Sequence, residues 1–515
     1  MKIVILIVIV TVFGFRYLNA NNIQISNITL TGQNTISKST LIQFNLTWEN
    51  SWRVSTGPSN WDAAWVFVKY CVGSGPWLHA FLNNTGNNTG TGTAATITPG
   101  LLNTANIFNA ITNPAMGVFV HRNGNGAGTF TQTGLQLKWN YGVNSVADDE
   151  AVDIKIFAIE MVYVPQGTFQ VGDGTTTSVQ GQFRNGSSNI PFTISSENAL
   201  TLGGTANGNL ANNNASGMFA NDDFDNSTTK TLPAAFPKGF NAFYCMKYEI
   251  SQQQWIDFFN VLDNSQKTNL DITGGTYNSN GKASDAVINR NNISWTSGDA
   301  TLNGGTFGNV ACNFLSWMDG AAFADWACLR PMTELEFEKA CRGTLTPVAN
   351  EFAWGSTTIT GATGISNSET NNEVAFNNEA NAVFNNAAGI QGPLRVGSMA
   401  TSTSTREQAG ASYYGIMDLS GNLMERVVSV GSDAGRNFVG SIHGNGLLTS
   451  DGFCDISTWP GYVTNKISVA NGVGFRGGAW NFTSIFLRTS DRVYSSHIIN
   501  VRNLSRGLRV VRSAP

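Results

Sequence analysis

An α+β chain, with an N-terminal antiparallel β-sandwich followed by a longer domain of few helices and much irregular structure, is predicted by three observations. Only 12% of the 515 residues are charged while 55 are glycine, a composition of turns and short strands rather than long helices. Apolar residues alternate with polar ones in the first third, and helical periodicity surfaces at only three places after it. The chain also exceeds what one core can hold, since cores stop growing at roughly 250–300 residues. Two domains are therefore expected, 21–159 and 160–515, behind a leader at 1–20.

The leader reads MKIVILIVIVTVFGFRYLNA: one lysine, an apolar run from Ile3 to Phe15, and Leu18-Asn19-Ala20 as a small-residue cleavage signal. This is a secretory pattern, with removal expected after Ala20. An uncleaved anchor is the alternative, but the run falls short of the roughly 20 residues that span a bilayer. No cysteine follows the run, which argues against a lipid-anchored start. The mature chain is expected to carry no stable transmembrane span and to be secreted or held at the cell surface.

The formal net charge is −4, and Lys and Arg are scattered. No basic stripe is present to neutralise phosphates, which excludes nucleic acid as a partner. Six cysteines (Cys71, Cys245, Cys312, Cys328, Cys341, Cys454) lie far apart with no CxxC spacing, so no cysteine metal site is expected. An oxidising compartment permits disulfides, yet a chain this large stabilises itself by burial, and several of these read equally well as buried thiols.

In the first unit Ile42, Phe44, Leu46 and Trp48 alternate with polar neighbours, as one half-buried strand should. Similar runs recur at Trp65-Val66-Phe67-Val68 and at Val152, Ile154 and Ile156. Between them, tracts such as NNTGNNTGTGT from Asn83 to Thr93 read as loops. The natural architecture is an immunoglobulin-like sandwich. No acids, histidines or nucleophiles gather there, so the unit reads as an adhesion, docking or spacer domain.

The second unit opens at Glu160, and the short apolar passage from Ala158 to Val164 leaves little room for a flexible linker. After an Asn- and Gly-rich insertion at about 198–230, FYCMKYEI at 243–250 reads as a strand leading into a helix. Ser251 and Gln254 form a capping box there, and Trp255, Phe258 and Phe259 share one face as core residues. A second helix is signalled from Ser316 to Trp326, and a third from the capping box of Thr333 and Glu336 to Cys341. Beyond Arg342-Gly343 only loops and short strands are expected.

A series of landmarks then arrives in a telling order: MVYVPQGTFQVG at 161–172, FYCMKYEIS at 243–251, SWMDGAAFADW at 316–326, PMTELEFEKACRG at 331–343 and FAWG at 352–355. It continues with YGIMDLSGNLMER at 414–426, GFRGGAW at 474–480, LRTSDR at 487–492 and RGLRVVR at 506–512. Together these resemble the formylglycine-generating enzyme, or sulfatase-modifying factor, family. The resemblance implies a variant of the C-type lectin-like fold with little regular secondary structure and bound calcium.

Catalytic members of that family hold copper between two cysteines just after the RGG motif and use it to oxidise a sulfatase cysteine. Cu(I) wants soft thiolates, and the matching positions here are Phe482 and Leu487. Copper is therefore not expected, and the chain reads as a pseudoenzyme. The related sulfoxide synthases use a histidine-rich iron motif, but His79, His121, His443 and His497 have no HxxxH or HxxE spacing. No GxSxG elbow points to a serine nucleophile either.

Calcium is the cofactor the resemblance does imply. The family's better-kept site maps onto Asp418, Gly421, Leu423 and Glu425, with side-chain oxygens from the two acids and main-chain carbonyls from the others, a donor set suited to a hard cation. The alternative is a tight Ser420-Gly421-Asn422 turn whose Glu425 pairs with an arginine such as Arg426 or Arg476. A second family site would start at Asn381 and Ala382, but Ala388 stands near the place of its acidic ligand.

Arg476, Gly477 and Gly478 read as a buried structural cation and close backbone approaches. From Asn481 onward, Phe482, Phe486, Tyr494 and His497 lie among small polar residues, the composition of an adaptable binding surface. The leading expectation is an exported, calcium-stabilised, non-catalytic module that binds a protein or glycan ligand on this face. The alternatives are a structural subunit of an extracellular bacterial assembly, built with partner chains or copies of itself, and a formylglycine-generating-type oxidase or other unidentified enzyme of the family.

Overall fold

The computed structural model describes residues 22–175, 178–213, 217–304, 307–377, 379–386 and 389–515. The expected leader and Ala388 lie outside the described residues. Among these, no helix is long and apolar enough to cross a membrane.

The first unit is a sandwich. One sheet is built on β2 (Ser39–Arg53), flanked by β1 (Gln24–Asn34) and by β6 (Gly126–Trp139), all antiparallel. The facing sheet contains β3 (Asp62–Val72), β4 (Ala95–Leu101), β5 (Ala115–Arg122) and β7 (Val152–Val164), in the order β7, β3, β5, β4. Strand β2 buries Ile42, Phe44, Leu46 and Trp48 against Ala64, Val66, Val68 and Tyr70 of β3. The alternation that predicted the strand is thus the inner face of the sandwich.

Strand β3 does not alternate with solvent, because both of its faces are covered. Its odd-numbered Ala63, Trp65 and Phe67 point away from the sandwich core into the core of the second unit. The Trp65 indole donates to the carbonyl of Ala327 at 2.8 Å. Glycine is required beside it: a Cβ on Gly100 or Gly117 would come within 2.6 Å of that ring.

The same sheet continues into the second unit. Strand β7 runs unbroken through the expected boundary at 159/160, pairing with β3 on one edge and with β8 (Phe243–Met246) on the other. Beyond β8 lie Val510–Ser513 and Arg330–Pro331. The tight passage at 158–164 is therefore a shared strand rather than a linker.

The Asn83–Thr93 tract is not simply a loop. Thr91–Gly92 adds to the edge of β6, where a Cβ on Gly90 or Gly92 would strike the carbonyls of Thr133 or Thr131 at 2.3 and 2.2 Å. Side chains are not needed for that pairing, which is why the polar pattern hid it.

The described helices are short. α1 (Gln252–Phe259), α3 (Trp317–Trp326) and α4 (Glu334–Arg342) begin at Ser251, Ser316 and Thr333, each with a closed capping box. α2 (Asn264–Leu270), capped by Asp263 and Gln266, was not anticipated, since Leu270 is its only buried apolar side chain. Trp255 and Phe258 of α1 pack with Phe323 and Trp326 of α3 over the outer face of β3. The remaining chain is loops and short strands, with a four-stranded sheet of Phe183–Asn185, Leu210–Asn212, Leu200–Leu202 and Lys230–Leu232 that runs through the insertion. Beyond Gly343, where only loops and strands were expected, one helical turn forms at Asp433–Arg436, started by the Ser432 cap, and in a small sheet β9 (Met424–Val428) pairs with β10 (Val473–Arg476) and runs parallel to Arg506–Gly507.

Candidate functional site

The RGG segment is delivered by β10 onto α4. Glu334 and Glu338 lie one turn apart on that helix, so they present carboxylates on one side. Arg476 donates from Nη1 to Glu334 at 3.2 Å and from Nη2 to Glu338 at 2.8 Å. Arg492 grips both Glu334 oxygens, at 2.6 and 3.0 Å, and reaches Asp222 of the insertion at 2.8 Å. All five side chains are out of solvent. Removing one partner from such a network leaves a buried charge uncompensated, so these arginines hold the fold together.

Immediately after this network come the two positions that would bear copper ligands. Leu487 is fully buried among Phe352, Trp354 and Ala382, and Phe482 closes the outer side of that cluster. Neither phenyl nor isobutyl groups coordinate a metal. The six cysteines are all buried free thiols elsewhere in the fold, and burial pushes those of Cys245 and Cys328 up to about 12. The residues present do not fit copper.

Cys328 lies 3.5 Å from each ring nitrogen of His79. Burial holds that thiol protonated and pushes the imidazole well below its ordinary value. Both are sealed in the core, so the pair is not an activated nucleophile.

The predicted ligand face does come together. Phe482, Phe486 and Tyr494 form a mutual cluster with ring centroids 5.4 to 5.7 Å apart. His497 lies 5.8 Å from Tyr494, and burial, then Arg506 and Arg426, push it down to about 4, so it is neutral at pH 7. The rings are half-buried rather than fully exposed, because each covers its neighbours, and Asn481 stands exposed at the edge. Sequence reasoning missed Phe219. It comes from the insertion, is 60% exposed, and packs its ring 5.3 Å from Tyr494 and 4.1 Å from His497. Its backbone N–H donates to Val493 at 2.7 Å, tying the insertion to this face.

The expected calcium residues surround a buried acidic cluster. Asp418 and Asn422 take positive φ of 61° each and Gly421 takes 99°, forming the tight turn, and a Cβ on Gly421 would meet the carbonyl of Val383 at 2.6 Å. Asp418 accepts from the Gly397 N–H at 2.6 Å. Glu249, unremarked in the sequence, accepts from the Leu423 N–H at 2.9 Å and from Asn422. Glu425 accepts from Arg509 Nε at 2.6 Å, so neither Arg426 nor Arg476 is its partner. Arg509 also donates to the carbonyls of Met246 and Met417.

Three acids thus lie beside the Arg509 guanidinium, which pairs directly with Glu425, while Arg395 also acts on Asp418. Burial, then Asp418 and Glu425, hold Glu249 well above the carboxylate range; burial also raises Asp418 and pushes Glu425 up to about 7. Glu425 Oε2 is buried without a partner. Among the described residues no three His, Cys, Asp or Glu side chains converge on one metal position, so a cation here would depend on main-chain oxygens. The oxygen-only donors, the surplus of acids and the unpartnered Oε2 fit a hard cation.

A family model described as a sulfatase-modifying factor enzyme 1-like domain matches residues 155–514. No curated protein matches the chain.

Proposed function

The chain belongs to the sulfatase-modifying factor enzyme 1-like family, and from that premise we propose that it is an exported, non-catalytic binding module that keeps the scaffold without the oxidase chemistry. The observation that carries this reading is the replacement of both copper-ligand positions by Phe482 and Leu487, one in an aromatic surface cluster and the other in the core. What the face retains is contact area: Phe219, Phe482, Phe486 and Tyr494 offer rigid rings at low entropic cost, bordered by the exposed Asn481, and suit a protein or glycan ligand. Exposed Ile485 and Ile498, at 47% and 51%, favour a second reading in which a partner chain of an extracellular assembly covers this face. Calcium would be held by Asp418 and Glu425 side chains with the carbonyls of Gly421 and Leu423, neutralising the acid surplus beside Arg509.

Elemental analysis of the purified mature chain, together with an oxidation assay on a cysteine-bearing sulfatase peptide, tests the proposal. The expected result is neither copper nor aldehyde formation. Stoichiometric copper, or turnover of the peptide, overturns it.

A further inference from the structure

A cleft separate from the aromatic face lies where the end of β2 and the β2–β3 connection meet the 400–417 segment. It is open, with a volume of about 600 Å³, within the size range of small-ligand sites. Trp52 is one wall and Tyr248 and Tyr413 line the other parts. The cleft is preformed. Trp52 lies on Gly415, where φ is +82° and a Cβ would come within 3.1 Å of the indole, and the Asn60 amide donates to the Tyr414 carbonyl at 2.7 Å.

Its charge is one-sided. No carboxylate lines the cleft, and two cations do, Lys247 and Arg406. Lys247 is neutralised from beneath by Glu160 at 3.0 Å and Asp62 at 3.7 Å. Arg406 donates only to backbone carbonyls, to Ala353 at 2.9 Å and Ala411 at 3.3 Å. Among the described residues no acid is ion-paired with it. A partly buried guanidinium satisfied on one edge by carbonyls presents the geometry that receives a carboxylate. Hydroxyls of Thr56, Thr401 and Ser402 stand exposed on the rim.

We propose that this cleft binds an acidic saccharide, with a pyranose ring stacked on Trp52, its carboxylate on Arg406 and its hydroxyls at the rim. The aromatic walls supply flat apolar area for the C–H face of a sugar, and Arg406, with no acid in ion-pair contact among the described residues, selects the acid. Trp52 and Asn60 precede residue 155, where the family match begins. The site is therefore assembled jointly by the first unit and the family scaffold.

Calorimetric titration of the full mature chain with a tetragalacturonate, a neutral glucose tetramer and indole-3-acetate tests this. The uronide is expected to bind at least tenfold more tightly than either of the others. Arg406→Gln should bring the uronide down to the level of the neutral tetramer, and Trp52→Ala should abolish binding. Trp52→Phe, which keeps a ring on Gly415, should retain binding within a few-fold and guards against a folding defect in the alanine variant. The proposal is overturned by equal affinity for the neutral tetramer, by preference for the aromatic acid, by an Arg406→Gln chain that binds normally, or by no uronide binding at millimolar concentration.

Discussion

Arg509 and Glu425 form a fully buried ion pair at 2.6 Å, with Oε2 of the glutamate left unpartnered. Arg509→Met should cost about 3–5 kcal/mol, because the acid is then buried without compensation. The loss should be smaller at pH 5 than at pH 8. Burial, with Asp418 adding, raises the folded-state value of Glu425 to about 7, above its unfolded value. The folded chain therefore binds the extra proton between those two values, and the contribution of this group falls as pH rises through that window. Thermal unfolding across pH 5–8 checks this, and a loss independent of pH would refute it.

Calcium should act on the same cluster in the opposite sense. At free calcium one hundredfold above Kd the gain is about 2.7 kcal/mol, seen as a midpoint that falls when chelator is added. Asp418→Ala should erase the difference between the two conditions. A wild-type midpoint indifferent to chelator would leave Arg509 and Arg395 as the counter-ions of the cluster and remove calcium from the account.

Leu487 and Phe219 should respond in opposite ways. Leu487→Ala empties a sealed site among Phe352 and Trp354 and should cost about 2–5 kcal/mol in denaturant unfolding. Phe219, 60% exposed, should shift stability by roughly 0.5 kcal/mol or less on replacement by Ala. A large loss for the second would make the aromatic face a packing element rather than a recognition surface.

Glu334 is the hub for two arginines. Glu334→Ala should destabilise by about 3–5 kcal/mol, with Glu334→Gln milder because the amide oxygen can still accept one of the bonds. Equal midpoints for wild type and Glu334→Ala would contradict the structural role given to this network.

What the sequence revealed was what is local. The caps at Ser251 and Thr333 lie within one turn of their partners, and the alternation in β2 needs only nearest neighbours, so helices α1 and α4 and the sandwich face were legible. α2 was not, because its residues NSQKTNL carry no apolar period. The RGG landmark and the two missing cysteines were also readable in line. Phe219 and Glu249 were not, since nothing near either residue announces Tyr494 or Leu423 as its neighbour. The same holds for Arg509, chosen over the sequence-adjacent Arg426 by the way Val510–Ser513 enters the sheet.

The unbroken course of β7 bears on how the molecule can be divided. All eleven residues of β3, from Asp62 to Val72, are in register with Val162 back to Val152. Cutting the chain near residue 160 would split one strand and strip the family scaffold of its neighbour, leaving apolar backbone edges that seek new partners. Fragments made at that point are expected to self-associate, because the first unit acts as a plank of the second rather than an appendage to it.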